Sequence, residues 1–388
     1  MGNEIIVTRR YDIDWLRNFG ILLLFPFHSA RVFDHWDPFY VKNEELSWGL
    51  SWFISVANLW FMPLLFWLAG SACWYALRVK SNEHFIKERF KRLFIPLLFG
   101  ILIIVPPQGY FAILSHTGEF PDSYFIFLKS FFSDFSDLSG YFGTFTPAHL
   151  WFILYLFVLS FAALPVFQTI KGEKGKRFFD KFHKRLSHPA IFILIFIVLT
   201  LSLKLPSPGG QNPFYYFLLL LMGYITCSDE RYQQMFNRIR LKALIVVLIT
   251  TPLWIVLVAQ NQGVKEFSIL GISLIFLRSL NVLLGLIAIL GFGNKYLNIQ
   301  HRFLPYFNEA AFPVYIIHQS VLVAVGYYMI KLDIGVMPKF LIIMILTLIL
   351  SVLIYDLIIK RTKITQYVFG VKIRRTGPDL KQAKKVIS

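Results

Sequence analysis

The chain has 388 residues, of which 56% are hydrophobic, 18% aromatic and 16% charged; a soluble domain is about a quarter charged. That excludes a disordered chain and argues against a water-soluble globule. The formal charge of +17 would point to nucleic acid only if Lys and Arg clustered on one folded face, and their distribution along the chain says otherwise.

Residues 1–14 are polar, with no short apolar stretch followed by a small-residue cleavage site, so no removable signal peptide is expected. A bilayer core about 30 Å thick needs roughly 20 apolar residues per helix. Ten apolar runs follow in order: 15–33, 50–77, 93–114, 149–169, 189–205, 213–228, 242–260, 267–291, 311–330 and 339–359. The fold class expected is an all-α polytopic membrane protein of about ten transmembrane helices. Ten spans place both termini on one side. The segments on that side carry 30 Lys and Arg against seven in the opposite loops. Cytoplasmic loops hold the excess, so both termini are expected in the cytoplasm and the protein in the cytoplasmic membrane. One transmembrane domain covers 1–360. A basic tail, 361–388, is suited to anionic lipid headgroups. No nucleic-acid partner is expected.

The longest outer loop, 115–148, has ten aromatic residues between Phe120 and Phe145. Phe125, Leu128, Phe131 and Phe135 recur at helical spacing. This predicts a helix lying in the outer interface, compatible with a lid over an acceptor site. Cys73 and Cys227 make no disulfide framework or CxxC pattern. The nine histidines show no HxxxH or HExxH spacing, so no metal site and no permanently bound cofactor are expected.

Polar groups inside lipid-spanning helices are costly and are candidates for function. Arg17 lies at the cytoplasmic end of the first run and His28 eleven residues later. Eleven residues turn through only ~20° more than three full turns and rise ~16 Å, so both side chains share one face. A long donor with an anionic head and a reactive tip fits that spacing. In acyl-coenzyme A, phosphates would stay at Arg17 and the thioester would reach His28, where an imidazole can act as base or acyl carrier. Pro26 lies between the two and can bend the helix. Asp14 either pairs with Arg17 or caps the helix. Arg89 and Arg92, three apart at the start of the third run, are two forks able to clamp a pyrophosphate. Arg278, deep in the eighth run, needs a polar cavity or partner, with Asn281 one turn away. His318, seven residues into the ninth run, is ~10 Å from the cytoplasm and can line a donor tunnel. His149, at the outer mouth of the fourth run, can bind an acceptor. Asp34-His35 is an acid–histidine neighbour pair, but adjacent helical residues point apart.

These residues carry a resemblance. Asp14-Trp-Leu-Arg17-x10-His28 resembles the first-helix signature of the acyltransferase type 3 family of integral membrane acyltransferases. Phe66-Trp-Leu-Ala-Gly70-Ser71 resembles its aromatic run ending in Ser-Gly, with the last two reversed. Arg89-Phe-Lys-Arg92-Leu-Phe-Ile-Pro96 is similar to its Arg-x-x-Arg-Leu-x-Pro element, with one extra residue. His149-Leu-Trp151 and Pro313-Val-Tyr315-Ile-Ile-His318 are similar to its fourth-helix opening and its late Pro-x-Tyr-x-x-His element. Several segments look like its glucan biosynthesis protein C branch. The two departures leave the geometry at Gly70 and Pro96 open. The resemblance implies O-acyl transfer, acetyl or succinyl, from cytosolic acyl-CoA to a hydroxyl of a carbohydrate or glycan at the outer face. It carries the family's histidine onto His28 and its arginine onto Arg17. A transporter or exporter of a glycan or lipid is the alternative, although no paired internal repeats of the transporter kind are visible.

Overall fold

The computed structural model describes residues 9–118, 123–175, 177–178, 189–261, 263–265 and 267–372. Among them every regular element is helical. In chain order these are α1 (Tyr11–Arg31), α2 (Trp48–Val79), α3 (Asn82–Thr117), α4 (Tyr124–Phe131), α5 (Trp151–Lys171) and α6 (Pro189–Ser202). Then come α7 (Pro213–Thr226), α8 (Glu230–Gln260), α9 (Ile269–Leu297), α10 (Leu304–Met329), α11 (Val336–Ile359) and α12 (Lys363–Val368).

All ten predicted runs are helices. Seven of them are long and apolar enough to cross a membrane: α2, α3, α5 with its leading turn, and α8 to α11. The other three fall short for different reasons. The 21 residues of α1 include Asp12, Asp14, Arg17 and Arg31. The 14 residues of α7 rise only ~21 Å, and the apolar part of α6, Ile193–Ser202, is shorter still. Most of the expected basic tail, residues 373–388, lies outside the described residues.

The departure at Gly70-Ser71 has a packing reason. A Cβ on Gly70 would stand 1.9 Å from the carbonyl oxygen of Leu220, and one on Gly223 would stand 1.8 Å from that of Trp67. Helices α2 and α7 therefore touch backbone to backbone, as small residues allow in membranes. The hydroxyl of Ser71 seals the crossing by donating to Gly223 O at 3.2 Å. The departure at Pro96 coincides with a π-helical turn over Phe90–Phe94, which is how a helix absorbs one extra residue. A second such turn, Gly100–Ile104, precedes Pro106 and Pro107.

The core is one large apolar cluster to which every helix from α1 to α11 contributes. A smaller one, including Phe33, Tyr40, Leu322 and Phe340, lies towards the end of α1. The loop after α1 closes over a charge cluster. Asp34 is wholly buried and pairs with Arg31 at 3.2 Å and Lys42 at 3.3 Å. Burial lowers the Lys42 ammonium from its usual range, and Asp34 opposes that. His35 turns away from Asp34 and stacks on Trp48, with ring centroids 4.1 Å apart. The aromatic loop forms α4 as a short helix. Its Phe127 and Phe131 are buried over Gly109 of α3, while Phe125 points outward.

Candidate active site

Two rungs connect α1 to α10. At the first, Arg17 Nη2 donates to Asn308 Oδ1 at 2.8 Å, and Asn18 Nδ2 donates to the same oxygen at 2.9 Å. At the second, the rings of His28 and His318 lie with centroids 5.1 Å apart. Eleven residues separate the rungs on α1 and ten on α10, so the helices run side by side in one direction. Asp14 reaches Arg17 at 3.1 Å and Arg9 at 2.8 Å. It sits in the first turn of α1, and the cap position belongs to Arg10.

The depth of His318 differs from the reading of the sequence. Helix α10 begins at Leu304, seven residues before the predicted run, because Pro305 suits a first turn and polar Asn308 and Glu309 had hidden that turn from an apolar count. His318 therefore lies 14 residues, ~21 Å, into its helix. That is level with His28 and far from the helix start.

His149 joins them. Its ring centroid is 5.0 Å from that of His318, and it is buried, not at an open mouth. Its position is fixed three ways. Ring Nε2 bonds Ile316 O at 2.9 Å, and the hydroxyl of Tyr315 donates to His149 O. Ala148, immediately before it, has φ +47°, a left-handed conformation unusual for a residue with a Cβ. Such strain survives only where surrounding contacts over-determine it, commonly at functional sites.

The histidine hydrogen bonds decide tautomers. A carbonyl oxygen only accepts, so His149 carries its proton on Nε2. His318 Nδ1 bonds Tyr315 O at 2.6 Å, so it carries its proton on Nδ1. Their other nitrogens, His149 Nδ1 and His318 Nε2, are buried without a hydrogen-bond partner among the described residues, as is His28 Nδ1. Three imidazole nitrogens in one small region thus lack partners. Among the described residues no group of three His, Cys, Asp or Glu is arranged to hold a metal ion.

Behind the histidines runs an amide chain that the sequence reading passed over. Gln319 Nε2 donates to Gln108 Oε1 at 3.0 Å, Gln108 Nε2 to Ser320 Oγ at 2.8 Å, and Ser320 Oγ to Ile104 O at 2.5 Å. The Ile104 carbonyl is open because Gln108 N bonds Val105 O instead, beside Pro106 and Pro107. Gln319 also lies within interaction range of His28. Part of the signal was present: Gln108 and Gln319 are polar residues inside the apolar runs 93–114 and 311–330.

The remaining candidates lie apart from the histidines. Arg89 donates to Cys73 Sγ of α2 at 3.2 Å and sits 4.8 Å over the Phe85 ring. Arg92 meets Glu88 at 3.5 Å, and Glu88 also pairs with Lys80. Arg278 is exposed on α9 and within electrostatic range of Tyr215 and Tyr216 of α7. Asn281 is not its partner. That side chain is wholly buried and accepts from Thr250 and Thr251 of α8, each at 2.8 Å. Tyr216 in turn packs against Phe66 and Trp151, with centroids 4.5 and 5.3 Å away.

An Acyltransferase domain model matches residues 10–356, a stretch that contains both rungs and all three histidines. The chain belongs to the acyltransferase type 3 family. This acyltransferase is 21% identical over 346 residues to glucans biosynthesis protein C of Escherichia coli (strain SMS-3-5 / SECEC), covering 84% of this chain and 85% of that protein. It is 25% identical over 170 residues to glucans biosynthesis protein C of Salmonella typhi, covering 42% of this chain. That match spans 41% of the Salmonella protein's length. No solved structure gives a significant match. As a member of this family the protein is a membrane acyltransferase, and its helix composition is that of a multi-pass membrane protein.

Proposed function

We propose that this chain transfers an acyl group, acetyl or succinyl, from cytosolic acyl-CoA to a hydroxyl of a glycan at the outer face of the cytoplasmic membrane. The observation that carries the reading is the pairing of Arg17 and His28 along one face of α1, each braced by α10. The glucan-related names of the relatives support a carbohydrate acceptor. The 30-to-7 distribution of Lys and Arg supports cytoplasmic termini, which puts Arg17 at the donor side.

In this reading Arg17, Arg89 and Arg92 hold the coenzyme A phosphates. The pantetheine arm runs along α1 towards His28. His28 removes the proton from the acceptor hydroxyl while the oxygen attacks the thioester carbonyl; the C–S bond breaks and the proton passes to the thiolate. Alternatively the imidazole takes the acyl group first. Arg278, beside Tyr215 and Tyr216, offers donors to the acceptor, and His149 and His318 wall the reacting space. The α4 loop covers that space from outside. Membrane lipids surround the seven long apolar helices.

Purified protein given acetyl-CoA or succinyl-CoA and a glucan should release free thiol and yield an acylated glucan. His28→Ala should abolish both products while leaving the protein folded. Wild-type rates in His28→Ala would overturn the mechanism. Acyl-CoA should also raise the thermal midpoint of the wild type, a response that a simple exporter would lack.

A further inference from the structure

We infer that His318 is the positioning residue for His28: an uncharged imidazole that holds His28 with its proton on Nδ1 and its Nε2 free to act as base. The inference rests on the proposed function, because it assigns His28 the role of base.

The argument starts from the tautomers. Tyr315 O binds His318 Nδ1 at 2.6 Å and thereby requires a proton there. His318 Nε2 then presents a lone pair with no partner among the described residues. Two neighbouring rings have an unpartnered nitrogen: His149 Nδ1 can offer only a lone pair, because that ring carries its proton on Nε2, whereas His28 Nδ1, also buried and unpartnered, can carry a proton. The centroids stand 5.1 Å apart, a separation at which facing ring nitrogens meet at hydrogen-bond distance. One bond, His28 Nδ1–H to His318 Nε2, satisfies both. It needs the two rings to turn these nitrogens towards each other, and each buried polar atom left unpaired costs about 1–3 kcal/mol.

The consequence for the reaction follows from which nitrogen is left. With Nδ1 protonated and bonded, His28 has its lone pair on Nε2. When Nε2 takes the hydroxyl proton, the ring becomes an imidazolium whose Nδ1–H is a stronger donor. His318 Nε2 then binds it more tightly. This is the orienting role that a carboxylate fills in Ser-His-Asp enzymes, taken here by a neutral ring. A neutral ring suits a site among apolar helices, where an ionised carboxylate would be costly. The Tyr315 carbonyl is the third link, because it stops His318 from presenting N–H to N–H. His149, with its centroid 5.0 Å from His318 and its ring tied to Ile316 O, limits ring motion from the other side.

The test compares His318→Leu with His318→Gln, whose amide oxygen can reach the place of Nε2. Replacing His318 by Leu should lower kcat on the order of 10²–10³-fold, less than the ~10⁴ for an orienting carboxylate. Its KM for acyl-CoA should stay within about threefold. Gln should recover at least a tenth of the wild-type kcat. The acid limb of kcat should move to lower pH in the Leu variant, because a bond that favours the protonated ring has gone. The titratable or charged groups facing these two rings are His149, Arg31 and the Tyr315 phenol, and Gln319 is uncharged, so the same profile in His149→Gln separates that ring's titration from the His28 limb. Wild-type kcat in His318→Leu would overturn the inference. So would a loss of kcat that tracks lost coenzyme A affinity and thermal stability, with no shift in the limb and no rescue by Gln. Full activity in His28→Ala would instead overturn the proposed function.

Discussion

Asn308 receives Arg17 and Asn18 on one oxygen, at 2.8 and 2.9 Å. A single amide of α10 thus sets the direction of Arg17, which shares a face of α1 with His28. The bond also fixes the register between the helices, because ten residues further on the same helix carries His318 to His28. Replacing Asn308 by Leu should leave Asn18 Nδ2 without its acceptor, at about 1–3 kcal/mol, and leave Arg17 held by Asp14 alone. In the proposed reaction the KM for acyl-CoA should rise on the order of tenfold, with kcat nearly unchanged. Steady-state kinetics over a donor series will show the split.

The α2–α7 crossing leaves no room for a methyl group. With a carbonyl oxygen 1.8–1.9 Å from either added Cβ, Gly70→Ala or Gly223→Ala must push two backbones apart. Each should destabilise the protein by about 3 kcal/mol or more, at the upper end of overpacking costs. A scan of thermal unfolding in detergent will measure it. Gly118, whose added Cβ meets nothing within 4 Å, adopts φ +74° and should lose only the modest cost of a left-handed alanine.

Ala148 carries backbone strain in its φ of +47°. Ala148→Gly should stabilise by about 0.5–1 kcal/mol, since glycine lacks the penalty that a Cβ meets there. Ala148→Val should destabilise by at least about 1 kcal/mol, because β-branched residues are true outliers at positive φ. The thermal midpoints should fall in the order Gly, Ala, Val.

The charge cluster beyond α1 should depend on its one wholly buried carboxylate. Asp34→Asn leaves Arg31 and Lys42 facing a neutral side chain, although Arg31 keeps Pro38 O at 3.0 Å and an exposed Asp37 at 3.5 Å. Breaking one side of a buried ion cluster costs about 3–5 kcal/mol. Chemical unfolding of Asp34→Asn beside Arg31→Met will test whether the cluster acts as a unit, since the double variant should recover part of the loss.

Much of the molecule was legible in its residues. Apolar runs of about 20 residues become helices because lipid leaves no other way to satisfy a backbone, and each predicted run is one. The Arg17–His28 spacing needed only the helical period. Gly-Ser at 70–71 and the residue added before Pro96 were visible as departures, but their reasons, a backbone crossing and a π-turn, depend on neighbours that a sequence does not display.

Chain order alone determined the class of the protein, the helical positions and the shared face of Arg17 and His28, because these follow from local hydropathy and from 3.6 residues per turn. Tertiary structure decided the rest. It lifted His318 to the depth of His28, drew His149 from a presumed mouth into the same cluster, and left Arg278 beside tyrosines while Asn281 bonded elsewhere. Those outcomes depend on which helix lies beside which and where each begins. Carbonyls of α10, which no pattern of side chains reveals, then chose the nitrogen on which two of the three histidines carry their protons.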